Sequence, residues 1–188
     1  MATTIRFANV HRELLAEPCR VRLAAPGEMQ EVVGVLLAAY RQYQWALPWN
    51  AVAMHLADLL QLQWSVPGVE FLVAERQGRI LGVALTLPMA GQEDGPRRWV
   101  SVRALAVVPA ARRLGIASAL LAACARRARE QRATALCLHV PGFMKAGNDL
   151  AARVGFHRLE SGDFQLGASH GLADDQRVSM QAYALPLS

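Results

Sequence analysis

A junction near the middle of the chain constrains its fold more than any other feature. Residues 99–108, Trp-Val-Ser-Val-Arg-Ala-Leu-Ala-Val-Val, form the best strand pattern in the sequence, and Pro109 stops it. At Gly115 an amphipathic helix opens and runs to about residue 131, with Ile116, Leu120, Leu121, Cys124 and Ala128 on its apolar face. The short turn between them carries Arg112 and Arg113. Strand, turn and helix in that order belong to an α/β domain.

The same turn carries a binding signal. Arg112-Arg113-Leu114-Gly115-Ile116-Ala117 fits the pattern Arg/Gln-x-x-Gly-x-Gly/Ala. A helix N-terminus offers unpaired backbone N–H groups and partial positive charge, and both favour phosphate. Gly115 lets the backbone approach a ligand, small Ala117 leaves room for it, and the two arginines add charge. Residues 79–84, Arg-Ile-Leu-Gly-Val-Ala, fit the pattern as well. That second match lies inside an apolar strand ending at Pro88, with no helix behind it, so it lacks the context that phosphate binding needs.

The rest of the chain reads as one continuous domain. Residues 1–19 lack periodicity and are expected to form an N-terminal arm, leaving 20–188 as the folded unit. A short strand at 19–24 precedes a helix opened by Pro26-Gly27-Glu28, with Met29, Val32, Val33, Leu36, Leu37 and Tyr40 at helical spacing. A second helix is expected over 51–64. Residues 71–75 and 80–87, separated by Gln77-Gly78, give a hairpin signal. After the central junction come a strand at 136–140, a short helix at 146–153 capped by Gly155, and late strands near 156–160 and 177–185. The order β-α-α-β-β-β-α-β-α-β-β describes a single α/β domain with a mixed central sheet of about six to seven strands and about four helices.

Composition narrows the function classes. Of 188 residues, 53% are hydrophobic and 19% charged, which excludes disorder and a small disulfide scaffold. The best apolar run, 117–125, is interrupted by Ser118 and falls far short of the roughly 20 residues of a membrane span, and no export signal is legible at the N-terminus. Cys19, Cys124 and Cys137 form no CxxC pair and suit reduced thiols in a cytoplasm. The five histidines never stand at ligand spacing, so no metal is expected. Net charge is +5, yet residues 97–132 hold nine arginines against one acid, Glu130. Such a concentration suggests a bound polyanion, its alternative being a solvated helix face.

The block from Leu105 through Pro109 and Gly115 to Leu121 resembles the acetyl-CoA-binding segment of the GNAT superfamily of N-acetyltransferases, almost position by position. Leu138-x-Val140 and Gly155-Phe156 match later landmarks of that family. The resemblance implies a GNAT-like fold whose splayed central strands admit the pantetheine arm of acetyl-CoA, the co-substrate. It further implies that the backbone near Val107 and Val108 pairs with that arm. The amides of Arg112, Arg113, Leu114, Gly115, Ile116, Ala117 and Ser118 would hold the pyrophosphate. The implied partner is an amine acceptor attacking directly in a ternary complex.

Two departures matter. Ala151 occupies the place of the tyrosine that protonates the leaving thiolate in many members, with Met144 in the asparagine place and Asn148 out of register. Ser101 stands where the fourth strand often supplies a glutamate base. His139, near the end of its strand, is then the candidate base, since its ordinary pKa suits proton removal. Glu70, at the mouth of the hairpin, and Ser101 are further candidates. Tyr40, Tyr43 and Trp45, with Trp49 and Trp64 nearby, suit the walls of an acceptor site, though they equally suit packing between helices. The sequence leaves three readings: an N-acetyltransferase, a non-catalytic acyl-CoA-binding or regulatory module, and a nucleic-acid surface on the arginine-rich helix. The phosphate-binding turn argues against the last by already explaining the positive charge. Nothing expects membrane association, and a homodimer is left open.

Overall fold

The computed structural model describes residues 19–90, 98–170, 172–173 and 176–187, without the side chains of 63, 64, 90 and 169. The expected arm, except Cys19, the polar loop 91–97 and the Trp64 side chain lie outside the described residues. Eight strands form one sheet: β1 (Arg20–Leu23), β2 (Glu70–Arg76), β3 (Arg79–Ala90), β4 (Arg98–Val107), β5 (Ala135–Pro141), β6 (His157–Arg158), β7 (Phe164–Leu166) and β8 (Val178–Pro186). Their order is β1-β2-β3-β4-β5-β8-β6, with β7 also on β8. The count exceeds expectation because three-residue β7 is too short to leave a periodic signal.

The helices are α1 (Met29–Tyr40), α2 (Trp49–Ser65), α3 (Ile116–Glu130) and α4 (Lys145–Arg153). Pro26–Glu28 is a 3-10 turn rather than the first turn of α1. There the Glu28 carboxylate accepts the Ala25 N–H at 2.7 Å and pairs with Arg22. Arg22 also reaches Glu75 at 2.7 Å, tying the helix entrance to β2.

Two apolar clusters lie on opposite faces of the sheet. Helix α3 packs with Val100, Val102, Leu136, Leu138 and Val140. Helices α1 and α2 pack with Phe71, Val73, Val83, Leu85, Ala104 and Ala106. Val102 and Ala104 would share a face in a regular strand, yet they belong to different clusters. A bulge explains the switch: Leu85 pairs with Ala104 and Thr86 with Val102, leaving Arg103 as the extra residue. One inserted residue turns every later side chain to the other face.

The bulge lies just past the parallel pairing of β4 with β5. Strand β4 pairs with β5 only from Trp99↔Ala135 to Val102↔Leu138. Beyond that point β4 stays on β3 as far as Gly82↔Val107, while β5 stays on β8 as far as Pro141↔Met180. The sheet therefore divides, and among the described residues the β5-facing backbone edge of residues 103–107 has no strand partner.

Candidate active site

At the C-terminal end of β4, the turn has the backbone of a phosphate cradle. Arg113 has φ 65° and Gly115 φ 77°, both left-handed, while Arg112 is extended. These reversals carry the chain into α3 with Gly115 as N-cap and no side chain capping the helix. Backbone bonding resumes with Ala119 N–H to the Gly115 carbonyl at 3.0 Å. Among the described residues, the amides of 113–118 have no backbone acceptor. A Cβ built on Gly115 would meet nothing within 4 Å, so the space before the helix is open. Ile116 itself is 2% exposed and packs in the core, which anchors the first turn.

The two arginines of the turn part company. Arg112 donates to the Gln42 side-chain oxygen at 2.7 Å and to the carbonyls of Ala39 and Val107 at 3.4 Å. Its guanidinium therefore pins the turn to the end of α1 instead of standing before the helix, contrary to expectation. Arg113 is exposed and has no side-chain partner among the described residues. Farther along α3, Arg127 grips both carboxylate oxygens of Glu70. Part of the arginine-rich segment is thus spent on internal contacts.

The division of the sheet holds a cavity of about 200 Å³, lined by Val102–Leu105 of β4 and Leu138–Pro141 of β5. Tyr40, His55 and Asp58 close it on the α1–α2 side, Met144 and Gly147 on the other. Its walls are mostly apolar, with a few converging polar groups, as small-molecule sites are.

His139 is the most constrained of these groups. Its Nε2 lies 3.3 Å from the Gly162 carbonyl, which can only accept, so Nε2 carries the proton. Nδ1 is then a lone-pair acceptor, and it is buried without a partner among the described residues. Phe164 holds the ring edge-on at 5.1 Å between centroids. Burial keeps the imidazole below its ordinary pKa, and the charge of Arg103 acts in the same direction. A neutral histidine of fixed tautomer can accept a proton.

Two neutral groups face it from the helices. The Tyr40 hydroxyl lies 3.4 Å from His55 Nε2, with the rings edge to face at 5.8 Å. Burial pushes the Tyr40 phenol up to about 12. Burial first, and then Arg103, push His55 down to about 4. Cys124 and Cys137 offer no nucleophile, because burial raises their thiols to about 12 and about 11. No group of residues that could hold a metal occurs among the described residues, and no described helix is long and apolar enough to cross a membrane.

Several expected site residues lie elsewhere. Glu70 is bound to Arg127 and does not line the cavity, so its carboxylate is a structural partner of α3 rather than a base. Ser101 is fully buried beside Cys137, one pair before the strands part, and its hydroxyl has no partner among the described residues. Tyr43 and Trp45 pack on Phe143, at 5.6 and 5.3 Å between centroids, outside the cavity. Trp45, 74% exposed, instead borders a shallow depression of about 370 Å³ with Phe143 and Arg177. Of the three aromatics, only Tyr40 reaches the division of the strands. Ala151 is fully buried against the core, so that place supplies no acid. Sequence reasoning passed over Arg103 and His55. A charged residue in the middle of the most apolar strand was a legible signal for the first, whereas His55 gains meaning only from what α2 packs against.

A profile described as the acetyltransferase (GNAT) family matches residues 31–156. No curated protein matches the sequence. Among solved structures, the ribosomal-protein-S18-alanine N-acetyltransferase of Escherichia coli superposes with a TM-score of 0.65 at 16% identity, covering 91% of this chain and 95% of that one. The yncA protein of Salmonella typhimurium, solved with its cofactor acetyl-CoA, gives a TM-score of 0.66 at 20% identity over 92% of this chain and 95% of its own. An N-acetyltransferase of Staphylococcus aureus gives 0.63 at 18% over 92% of this chain and all of that one. At such identities the likeness shows a shared fold.

Proposed function

Since this chain belongs to the acetyltransferase (GNAT) family, we propose that it transfers an acetyl group from acetyl-CoA to a primary amine, by direct attack in a ternary complex. The observation that carries this reading is the pairing of two open features: unpaired amides at 113–118 before α3, and the unpaired edge of β4 where it leaves β5.

Bound acetyl-CoA supplies an activated acetyl thioester. The amides of Arg113 to Ser118 and the Arg113 side chain would hold its pyrophosphate. The backbone near Val107 and Val108 would bind the pantetheine arm in the manner of an added strand. An acceptor amine in the cavity loses its proton to His139 Nδ1 as the N–C bond forms; the C–S bond breaks with its electron pair on sulfur, and the CoA thiolate leaves and takes its proton from solvent. Holding the two reactants together supplies most of the acceleration.

Calorimetric titration of acetyl-CoA into the native protein and a Gly115→Glu variant tests the reading. Binding by the native chain, lost in the variant, is the expected result; no binding by the native protein overturns it. One observation favours a second reading, a non-catalytic acyl-CoA-binding module: the buried Ala151 in the tyrosine place. Binding without acetylation of any amine in a broad panel would decide for that module.

A further inference from the structure

One charged group in the cavity has no task in the proposed acetyl transfer. Arg103 is the bulged residue of β4. It is exposed, it lines the cavity, and among the described residues no hydrogen bond or ion pair engages its guanidinium. His55 on α2 and His139 on β5 line the same cavity as Arg103. Its neighbours offer little competition. Both histidines are neutral at pH 7, so they neither repel nor satisfy it, and Asp58, on the same cavity wall, forms no ion pair with it among the described residues.

A guanidinium left unpaired beside apolar walls is a receptor for an anion, because a planar carboxylate accepts two parallel N–H bonds from it. Resting on the acetyltransferase reading above, we propose that the acceptor is a small amine with an apolar body and a carboxylate, of the amino-acid class, and that Arg103 binds that carboxylate. The cavity supports the size as well as the charge. Its volume, about 200 Å³, lies below the roughly 300–1,000 Å³ of sites for drug-sized ligands. A single arginine suits a monoanion better than a phosphate dianion, which would need further donors. The bulge gives Arg103 this position: it puts an extra residue where β4 has just lost β5, so a long polar side chain meets the opening rather than a packed helix.

The test uses matched pairs of probes that differ only in the carboxylate: L-leucine against 3-methylbutylamine, and L-phenylalanine against 2-phenylethylamine. Binding of each is measured by calorimetry in the presence of saturating CoA, and turnover with acetyl-CoA. The native protein is expected to favour the carboxylate member of at least one pair by about 10- to 100-fold, the range for hydrogen bonds to a charged group. Arg103→Gln is expected to erase that preference and Arg103→Lys to restore part of it, with acetyl-CoA affinity and melting temperature unchanged. Equal or weaker binding of the carboxylate members, no binding of either, or a preference that survives in Arg103→Gln overturns the proposal. Failure of the acetyltransferase reading looks different: acetyl-CoA itself would not bind.

Discussion

The two ring nitrogens of His139 have different surroundings, and this difference decides what the residue can do. Nε2 is committed to the Gly162 carbonyl, which leaves Nδ1 as the free base. Replacing His139 by Gln is expected to lower kcat by about 10²–10⁴-fold, the usual contribution of a general base, with the calorimetric affinity for acetyl-CoA unchanged. The pH profile adds a second check. The base works when unprotonated and its pKa is held below the ordinary 6.5. The rate should therefore climb on the acid side and level off at a lower pH than an unperturbed histidine would set. Sequence reasoning picked out His139 from its place near a strand end, but could not supply the tautomer. That depends on a carbonyl 23 residues away.

Among the elements, α3 and β3 show why the rejected second motif match contains a glycine. A Cβ on Gly82 would stand 2.8 Å from Ile116 Cγ2, 3.0 Å from Leu120 Cδ1 and 3.2 Å from the Ala106 carbonyl oxygen. The last is backbone of the neighbouring strand and cannot swing away. Gly82 therefore lets α3 lie close on the sheet, which sets where the helix N-terminus points. Gly82→Ala should lower stability by about 1–3 kcal/mol, as overpacking does, seen as a lower urea midpoint with an unchanged m-value. It should also weaken acetyl-CoA binding by shifting the turn. Helix periods and the Pro109 and Gly115 boundaries were legible because they follow from local chain chemistry. The short β7 was not, since its partner strand β8 defines it, and the 3-10 turn at Pro26–Glu28 was not, since the same Pro-Gly-Glu signal opens either kind of helical turn.

For the whole molecule, the sheet is two half-sheets joined over four residue pairs of β4 and β5, and buried neutral groups near the division make stability depend on pH. The folded pKa of His55, about 4, lies below its ordinary 6.5. As pH falls from 6.5, the unfolded chain takes up the proton first. The stability from this site is therefore complete above pH 6.5 and declines toward pH 4. Below that, Glu28 and Asp163, each held down to about 2 mainly by its arginine, continue the loss as pH approaches 2. Arg158–Asp163 is exposed and Arg22–Glu28 only half-buried, so solvent screens both and their share is small. His55→Gln, which keeps a polar group near the Tyr40 hydroxyl, should flatten the decline between pH 6.5 and 4 in urea midpoints measured against pH. An unchanged slope would assign the effect to other groups.

The amino-acid sequence by itself determined the α/β class, the strand–turn–helix junction, and the family that the block 105–121 resembles. Each of these is written in neighbouring residues: a proline that stops a strand, a glycine that can take positive φ, and a 3.6-residue apolar period. Only the tertiary structure decided which charged and aromatic residues share a site. It committed Arg112 to α1 and Glu70 to Arg127, took Tyr43 and Trp45 out to Phe143, and brought Tyr40, His55, Arg103 and His139 to one cavity. For Arg103 and the cavity the physical reason is the bulge in β4. A single extra residue reverses the faces of β4 where β5 departs, and its position depends on the register of β3 against β4, which no local pattern encodes.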